Sequence, residues 1–403
     1  MNKQLVTSNI QDFLFKNPDL DPLAVSLAKS PFPGVTSREL AGQLSARKKA
    51  RTKLPFWYSQ PGIYYPPLLN LEQASSERTG RYKATLVGGD TLLDLTGGSG
   101  IDTFLMREAF REIHYVERNP DLAQITAHNF NILGGQDIRV HQGDALALLQ
   151  SDLMGGKPSG HPSFDWIYLD PSRRKENRRK VFLLADCEPP LPEILPELFE
   201  ASENIMVKTS PMLDITEGIR QMKNVREVHI VAVGNEVREL IWLLQKGYTQ
   251  DTERIAVDLK TDFPPFRFYA AEEVVAQAPF SNPMGYLYEP NAAILKAGGF
   301  KSIATRYHLH KIHLNTHLYT SDSCIAFPGR RFKILQDLEY KPGKLPYTKA
   351  NVSTRNFPES VATLRKRNRI KDGGETYLFF VRSFDESLRV LECRRIKTPE
   401  KNL

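Results

Sequence analysis

Five short apolar runs between Leu86 and Leu244 constrain the fold more than any other feature of this chain. Thr91–Leu95, Ile113–Glu117, Ile138–Gln142, Trp166–Asp170 and Ile205–Lys208 each end in polar or small residues, the pattern of strands buried on both faces. Helical spacing fills the intervals, for example over Thr103–Phe110 and Asp121–Asn131. Alternating strands and helices predict a parallel sheet with helices on both faces. Two further runs, Val228–Val233 and Arg238–Leu244, are separated only by Gly234-Asn235-Glu236-Val237. That spacing is too short for a parallel crossover, so this last pair is antiparallel. A simple dinucleotide-binding dehydrogenase lacks such a hairpin.

The rest of the 403 residues is too much for one ordinary core and predicts two or three domains. No run approaches the ~20 apolar residues of a membrane helix, and Met1 to Phe15 lacks a basic region followed by an apolar block, so neither a membrane span nor a signal peptide is expected. Cys187, Cys324 and Cys393 are far apart and odd in number, which argues for a reducing cytoplasm and against a disulfide framework or zinc knuckle.

Residues 1–85 read as a helical and irregular region. Val6 to Phe15 and Pro22 to Ala28 carry short apolar periodicity, Pro31-Phe32-Pro33-Gly34 is a break, and Arg38 to Lys53 reads as an amphipathic helix. The stretch from Leu54-Pro55-Phe56-Trp57-Tyr58 to Tyr64-Tyr65-Pro66-Pro67 is rich in proline and aromatic residues. Proline predicts irregular backbone there, and the aromatics predict a strap packed across another domain. Beyond residue 250, strand-like Tyr286–Tyr288, Cys324–Phe327, Phe332–Leu335, Tyr377–Val381 and Arg389–Cys393 mix with helical Asn291–Ala297 and Ser360–Asn368. This predicts α+β modules over 251–323 and 324–403, after a sheet domain over 86–250.

Charge separates along the same line. Residues 296–403 hold 22 basic and 10 acidic residues, whereas the first 295 hold 32 basic and 37 acidic. A one-sided basic excess is the footprint of a phosphate-backbone binder, and equally of a solvated surface.

Chemistry is written at the strand ends. Leu92-Leu93-Asp94-Leu95-Thr96-Gly97-Gly98-Ser99-Gly100-Ile101-Asp102 is a strand running into a glycine turn that opens a helix, where a ligand can approach backbone amides closely. Glu117 ends the next strand, placed to accept hydrogen bonds from ribose hydroxyls, and Gly143-Asp144 follows the third. Asp170-Pro171-Ser172-Arg173-Arg174 ends the fourth strand and opens the basic run that reaches Lys180. A carboxylate beside a backbone carbonyl can accept both N–H bonds of an amine and orient its lone pair. Lys208 ends the fifth strand on the same rim, either to contact substrate phosphate or to cap the sheet.

These motifs resemble the class I S-adenosylmethionine-dependent methyltransferases, with Thr96 in place of the first glycine and Ser172-Arg173 in place of the usual proline and aromatic residue. The resemblance implies cofactor contacts from Asp94, Thr96, Gly97, Gly98, Gly100, Asp102, Glu117, Arg118, Asp144 and Ala145, with Glu117 on the ribose and Asp144 on the adenine amino group. It implies that Asp170, Pro171 and Arg173 serve the reaction. Leu71-Glu72-Gln73-Ala74-Ser75-Ser76-Glu77, Asp-Pro-Ser-Arg-Arg and Ser353-Thr354-Arg355-Asn356-Phe357-Pro358 are similar to a narrower bacterial family. That family joins a Rossmann-like seven-stranded methyltransferase sheet to ferredoxin-like and THUMP-like C-terminal modules. The narrower resemblance implies RNA as partner and adds Gln73 and Glu77 as substrate-binding candidates, to which charge adds Arg174, Lys208 and, from the dense basic run at 365–369, Arg365, Arg367 and Arg369. His308, His310, His313 and His317 suggest a metal pair if His313 and His317 share a helix face, but no cysteine or acid lies among them, and no metal is expected. The expectation is a methyltransferase acting on a nitrogen of an RNA base. A small-molecule or protein acceptor, and a non-catalytic RNA-binding protein with a vestigial cofactor site, remain open at this level.

Overall fold

The computed structural model describes residues 1–149, 164–173, 184–343 and 345–397. The chain forms two compact units, Met1–Arg226 with Ile241–Thr249, and Glu227–Leu240 with Gln250–Leu403.

The first unit opens with α1 (Ser8–Lys16), α2 (Pro22–Leu27), α3 (Ser37–Lys53), α4 (Pro55–Ser59), α5 (Leu68–Gln73) and α6 (Glu77–Ala84). Then follow β1 (Thr91–Asp94), α7 (Ile101–Met106), β2 (Glu112–Glu117), α8 (Pro120–Leu133), β3 (Ile138–Gln142), α9 (Ala145–Leu149) and β4 (Trp166–Leu169). Two short strands, β5 (Ser172–Arg173) and β6 (Cys187–Glu188), precede α10 (Leu191–Ala201), β7 (Asn204–Thr209), α11 (Ile215–Met222), β8 (Val225–Ala232) and β9 (Val237–Gln245). β3, β2, β1, β4 and β7 lie side by side and parallel, as the apolar runs predict.

The second unit continues with β10 (Glu253–Asp258), β11 (Phe266–Tyr269), α12 (Ala270–Val275), β12 (Tyr286–Pro290), α13 (Ala292–Ala297), α14 (Phe300–Arg306), β13 (His310–His313) and β14 (Thr316–Ser321). It ends with β15 (Gly329–Glu339), β16 (Asn351–Arg355), α15 (Val361–Asn368), β17 (Thr376–Arg382) and β18 (Leu388–Ile396). The larger sheet has the hydrogen-bonding order β11-β10-β8-β9-β7-β4-β1-β2-β3. The hairpin strand β9 thus lies between β7 and β8, the order of a class I methyltransferase sheet, and β10 and β11 extend it. The second sheet has the order β13-β14-β12-β15-β18-β17-β16. It curls until its margins meet: His313 on β13 bonds Asn356, which follows β16, at 3.0 Å, and Thr316 on β14 donates to the Arg382 carbonyl on β17 at 3.1 Å. The Glu289 carboxylate on β12 takes both Arg330 on β15 and Arg355 on β16.

Three readings are corrected. The proline-rich strap contains a helix, α4, because Pro55 stands in its first turn, where the missing N–H has no partner to lose. Cys324–Phe327 is not a strand; Ile325 is held by the Tyr288 hydroxyl instead. β10 and β11 carry charged residues among their apolar ones and have no counterpart in the apolar pattern.

The strap does pack across the sheet domain. Trp57 is buried with its ring edge-on to Phe104 of α7 at 5.7 Å, and Phe56 stacks on Phe104 at 6.2 Å. Asn129, buried on α8, grips the Tyr64 backbone from both sides, accepting from its N–H at 2.9 Å and donating to its carbonyl at 2.8 Å. Gln43 of α3 holds Tyr65 in the same way, at 3.0 and 2.8 Å. α3 itself starts at a capping box, with Thr36 and Glu39 satisfying each other's backbone N–H groups. Asn129→Ala leaves two backbone groups without partners and is expected to lower unfolding stability by about 2 kcal/mol. Denaturant titration checks it; an unchanged midpoint would mean that the strap does not depend on α8.

Candidate functional site

The glycine turn between β1 and α7 is built so that only glycine fits. A Cβ on Gly97 would lie 2.1 Å from the Tyr115 ring, and one on Gly100, at φ 72°, would lie 2.4 Å from Thr126. Gly98 differs. Its φ is 59°, and the nearest atom to an added Cβ is 3.6 Å away, so the space over its backbone is open. The Tyr115 hydroxyl donates to the Gly98 carbonyl at 2.6 Å, fixing the turn from below. Asp94 is a buried brace. It accepts from the Thr96 N–H at 2.9 Å and from the Thr103 hydroxyl, joining β1 to α7. Burial pushes its carboxyl up to about 7 against those two hydrogen bonds.

The acids at the next strand ends face the turn in different ways. Glu117 accepts from the Gly98 N–H at 2.9 Å and from the Asn119 N–H at 2.7 Å, so its carboxylate sits over the open glycine. Asp144 caps α9, accepting from Leu146 and Ala147 N–H groups at 3.1 and 3.0 Å, and Ala145 opens that helix. Arg118 points elsewhere. It pairs with Glu188 of β6 at 2.5 Å, and that hydrogen bond raises its pKa.

The end of β4 carries the densest chemistry. The Asp170 N–H donates to the Thr96 hydroxyl at 2.6 Å, so the residue that replaces the first glycine ties the two strand ends together. The Asp170 carboxylate pairs with Lys208 at the end of β7. Lys208 also lies 3.6 Å from Asp102 and donates to Ser75 at 3.4 Å. Lys83 of α6 lies 3.2 Å from the other Asp102 oxygen and donates to Ser75 at 2.9 Å. The Ser75 and Tyr168 hydroxyls each donate to Asp102 at 2.8 Å. Lys83, Lys208 and Asp102 are buried, while the Asp170 side chain is 35% exposed, so the chain of charges opens only at its Asp170 end. Burial works to raise the Asp102 carboxyl, but the two lysines outweigh it and hold it low. At Asp170 burial prevails over the pull of Lys208, and the carboxyl is raised. Lys53, at the end of α3, donates to the Glu72 carbonyl at 2.7 Å. Burial, then the fields of Lys208 and Lys49, lower its pKa to about 8.

Several predicted residues take other roles. Lys208 does not stand ready for a phosphate; Asp170 and Asp102 claim it inside the protein. Gln73 is exposed, and Glu77 fastens helices, accepting from the Phe56 N–H at 2.9 Å and pairing with Arg81. Between those two candidates the sequence reading passed over Ser75, and it also missed Lys83 and Tyr168. Pro171 is buried, and the Ser172–Arg173 backbone pairs with Cys187–Glu188. Arg174 lies outside the described residues. In the second unit Arg365 pairs with Asp372 and Arg367 with Glu359, while Arg369 caps α15 in the left-handed conformation. The histidines lie on strands and not on a shared helix face. His313 on β13 pairs with Glu386 at 2.9 Å, and His317 on β14 stacks on Phe300 at 3.6 Å. Among the described residues no three potential ligands converge as a metal site would require.

Known proteins bear on this geometry. One family model, a ferredoxin-like domain, matches residues 286–328, and another, THUMP domain-like, matches residues 329–395. The solved structure of a candidate methyltransferase from Porphyromonas gingivalis W83 is 31% identical, with a TM-score of 0.86 over 98% of this chain and 100% of that one. An S-adenosylmethionine-dependent methyltransferase of Agrobacterium tumefaciens is 14% identical over 42% of this chain and 60% of its own, with a TM-score of 0.29. TrmK of M. capricolum, solved with S-adenosylhomocysteine, is 11% identical over 43% and 70%, with a TM-score of 0.32. These two partial likenesses carry no argument. No protein of curated function matches the chain. With nearly all of both chains aligned, this protein belongs to the family of the Porphyromonas protein, in which a Rossmann-like methyltransferase sheet is joined to ferredoxin-like and THUMP-like C-terminal domains.

Proposed function

We propose that the chain is an S-adenosylmethionine-dependent methyltransferase whose acceptor is a nitrogen of an RNA base. One observation carries the reading. The Asp170 carboxylate stands at the carboxyl end of β4, tied through Thr96 to the glycine turn and open to the outside on one side only. The residues present fit the cofactor: Gly98 leaves clear space over the turn, and Glu117 and Asp144 end the two following strands. Glu117 would take the ribose hydroxyls and Asp144 the adenine amino group, with Thr96, Gly97, Gly98 and Gly100 forming the cradle. When bound, S-adenosylmethionine supplies an activated methyl group. Asp170 then accepts hydrogen bonds from the acceptor amine and orients its lone pair, with the Pro171 carbonyl beside it. Lys208 pairs with one Asp170 oxygen and favours its ionised form against burial, so the other oxygen is the one assigned to the acceptor. The strap and sheet of residues 1–250 perform the chemistry. Residues 251–403 recruit RNA, supported by the THUMP-like match and by the basic excess from residue 296 onward. The setting is cytoplasmic, in keeping with three unpaired cysteines.

Glu117→Ala should weaken S-adenosylmethionine binding by about 1–3 kcal/mol in calorimetry, the cost of leaving buried polar groups unpaired. An unchanged affinity in a folded variant removes Glu117 from the site. Binding of NAD without the methyl donor rejects the class.

The catalytic assignment is tested with labelled methyl donor and RNA from cells lacking the gene. Asp170→Ala should keep cofactor affinity and lose turnover. Lys208→Met removes the main influence that lowers Asp170 and leaves burial and Asp102 opposed only by Lys83, so its carboxyl rises further. Activity that needs the ionised form is lost as pH falls through that pKa, and the acid limb of the rate profile therefore moves to higher pH. An acid limb fixed in place would show that Lys208 does not tune Asp170. Methyl transfer to protein or small molecules with none to RNA would select the alternative acceptor.

We assign half-buried Lys53 to a phosphate of the bound RNA, which generates a second pH dependence. Its charge is present below about 8 and fades above it. RNA affinity of the wild type should fall as pH rises through 8, whereas Lys53→Arg, always charged, should stay flat from pH 7 to 9. Parallel curves would remove Lys53 from the phosphate path.

A further inference from the structure

The curled sheet of the second unit has a closed inner face and a partly open outer one. Leu287, Phe332, Phe379, Leu391 and Cys393 pack together on the inner face. Successive strand residues alternate between faces, so Tyr286, Lys333, Arg394 and Thr376 belong to the outer face. There α14 covers one margin: the Tyr319 hydroxyl donates to the Phe300 carbonyl at 2.7 Å, and His317 stacks on Phe300. α15 covers the other, its Leu364 packed among Val352, Leu378, Phe380 and Val390.

Between the two helices one row of directly opposed residues crosses four strands. Tyr286 on β12 faces Lys333 on β15, Lys333 faces Arg394 on β18, and Arg394 faces Thr376 on β17. Lys333 and Arg394 are exposed, and neither has an acidic partner among the described residues. Several other arginines of the region do have carboxylate partners. Arg330 and Arg355 share Glu289, Arg365 has Asp372, Arg367 has Glu359, Arg382 has Glu386 and Arg389 has Asp337. Like charges directly opposite on neighbouring strands destabilise a sheet. Folding therefore gains nothing from the Lys333–Arg394 pair, and a bound anion would remove its cost.

We propose that this row is where a single RNA strand crosses the second unit, a claim that rests on the RNA reading above and gives it a surface. Lys333 and Arg394 hold backbone phosphates, and the half-buried Tyr286 beside them offers its ring to a base. Lys333 and Arg394 stand side by side about 5 Å apart at the usual strand spacing, which suits one extended chain, and the neighbouring Glu392 on that face is engaged by the Tyr347 hydroxyl at 2.9 Å. The α15 arginines are secondary, because two of them already have carboxylate partners.

The test is fluorescence anisotropy of a labelled single-stranded RNA oligonucleotide with the full chain at several salt concentrations. Lys333→Gln with Arg394→Gln should weaken binding about tenfold near physiological salt and flatten the log–log salt slope by about 1.4, two phosphates at about 0.7 each. Its melting temperature should equal or exceed the wild type's, since a repulsion is removed; a group kept for stability would behave the opposite way. Arg365→Gln with Arg367→Gln should leave the slope near wild type. If the wild type binds RNA and the first variant shows a parallel slope, this row is not the contact, while the RNA reading stands. If heparin or an acidic protein competes as well as RNA does, the commitment to RNA is overturned. If the wild type binds no RNA, both readings fall together.

Discussion

The buried chain of charges from Lys83 through Asp102 and Lys208 to Asp170 is the interaction on which the rest of the first unit depends. It links α6, α7 and the ends of β4 and β7, four elements far apart in sequence. Four charges near one another in a protein interior are costly unless each is matched. Here two lysines meet two carboxylates, with the Ser75 and Tyr168 hydroxyls supplying further hydrogen bonds. Such a network adds little net stability, yet removing a single member leaves an uncompensated charge and costs about 3–5 kcal/mol. Its value is positional. It forces the strap end and the sheet into one arrangement, and it brings only one carboxylate to the outside.

Thr96 shows how a departure from a family pattern can still serve the site. A glycine at that place would offer only backbone. Threonine adds a hydroxyl that takes the Asp170 N–H, while Asp94 takes the Thr96 N–H. The glycine turn and the Asp170 carboxylate are therefore coupled through one side chain. Burial of Asp94 works against its charge: its carboxyl is shifted up to about 7, so it carries less negative charge beside Asp102 and Asp170 near neutral pH than an exposed aspartate would.

Much of the sheet was legible because its cause is local. Buried strands need apolar runs, and a four-residue connection admits only a hairpin, so strand number, direction and the turn at Gly97 to Gly100 could be read from residue order. β10 and β11 escaped because both mix charge with apolar residues: β10 carries Glu253, Arg254 and Asp258 although most of it is buried, and β11, at the sheet edge, alternates buried and exposed residues. Pro55 was read as a helix breaker, although a first-turn proline starts a helix. The site was legible only where residues sit at strand ends. Asp170 and Glu117 announce themselves by position, whereas Lys83 reaches the site from α6 and Ser75 from the segment before it, and the placement of both depends on tertiary contacts. A lysine on a helix is usually solvated, and nothing in the spacing of Lys83 marks it as buried.

The charge of the C-terminal region shows the same limit from the other side. Its excess of twelve basic residues was assigned to the densest run, Arg365 to Arg369, since density is what a sequence displays. Pairing is what decides availability. Asp372 and Glu359 lie within eight residues of the arginines they neutralise, so folding converts a conspicuous cluster into local ion pairs. Lys333 and Arg394 are separated by 60 residues in the chain, and only strand register sets them side by side. A sheet can assemble such a pair without any local signature, and it does so here where two helices leave its outer face uncovered. The electrostatic potential that matters to an approaching anion is thus a property of the register, set by the bulge at Ile334 to Gln336 as much as by the residues themselves.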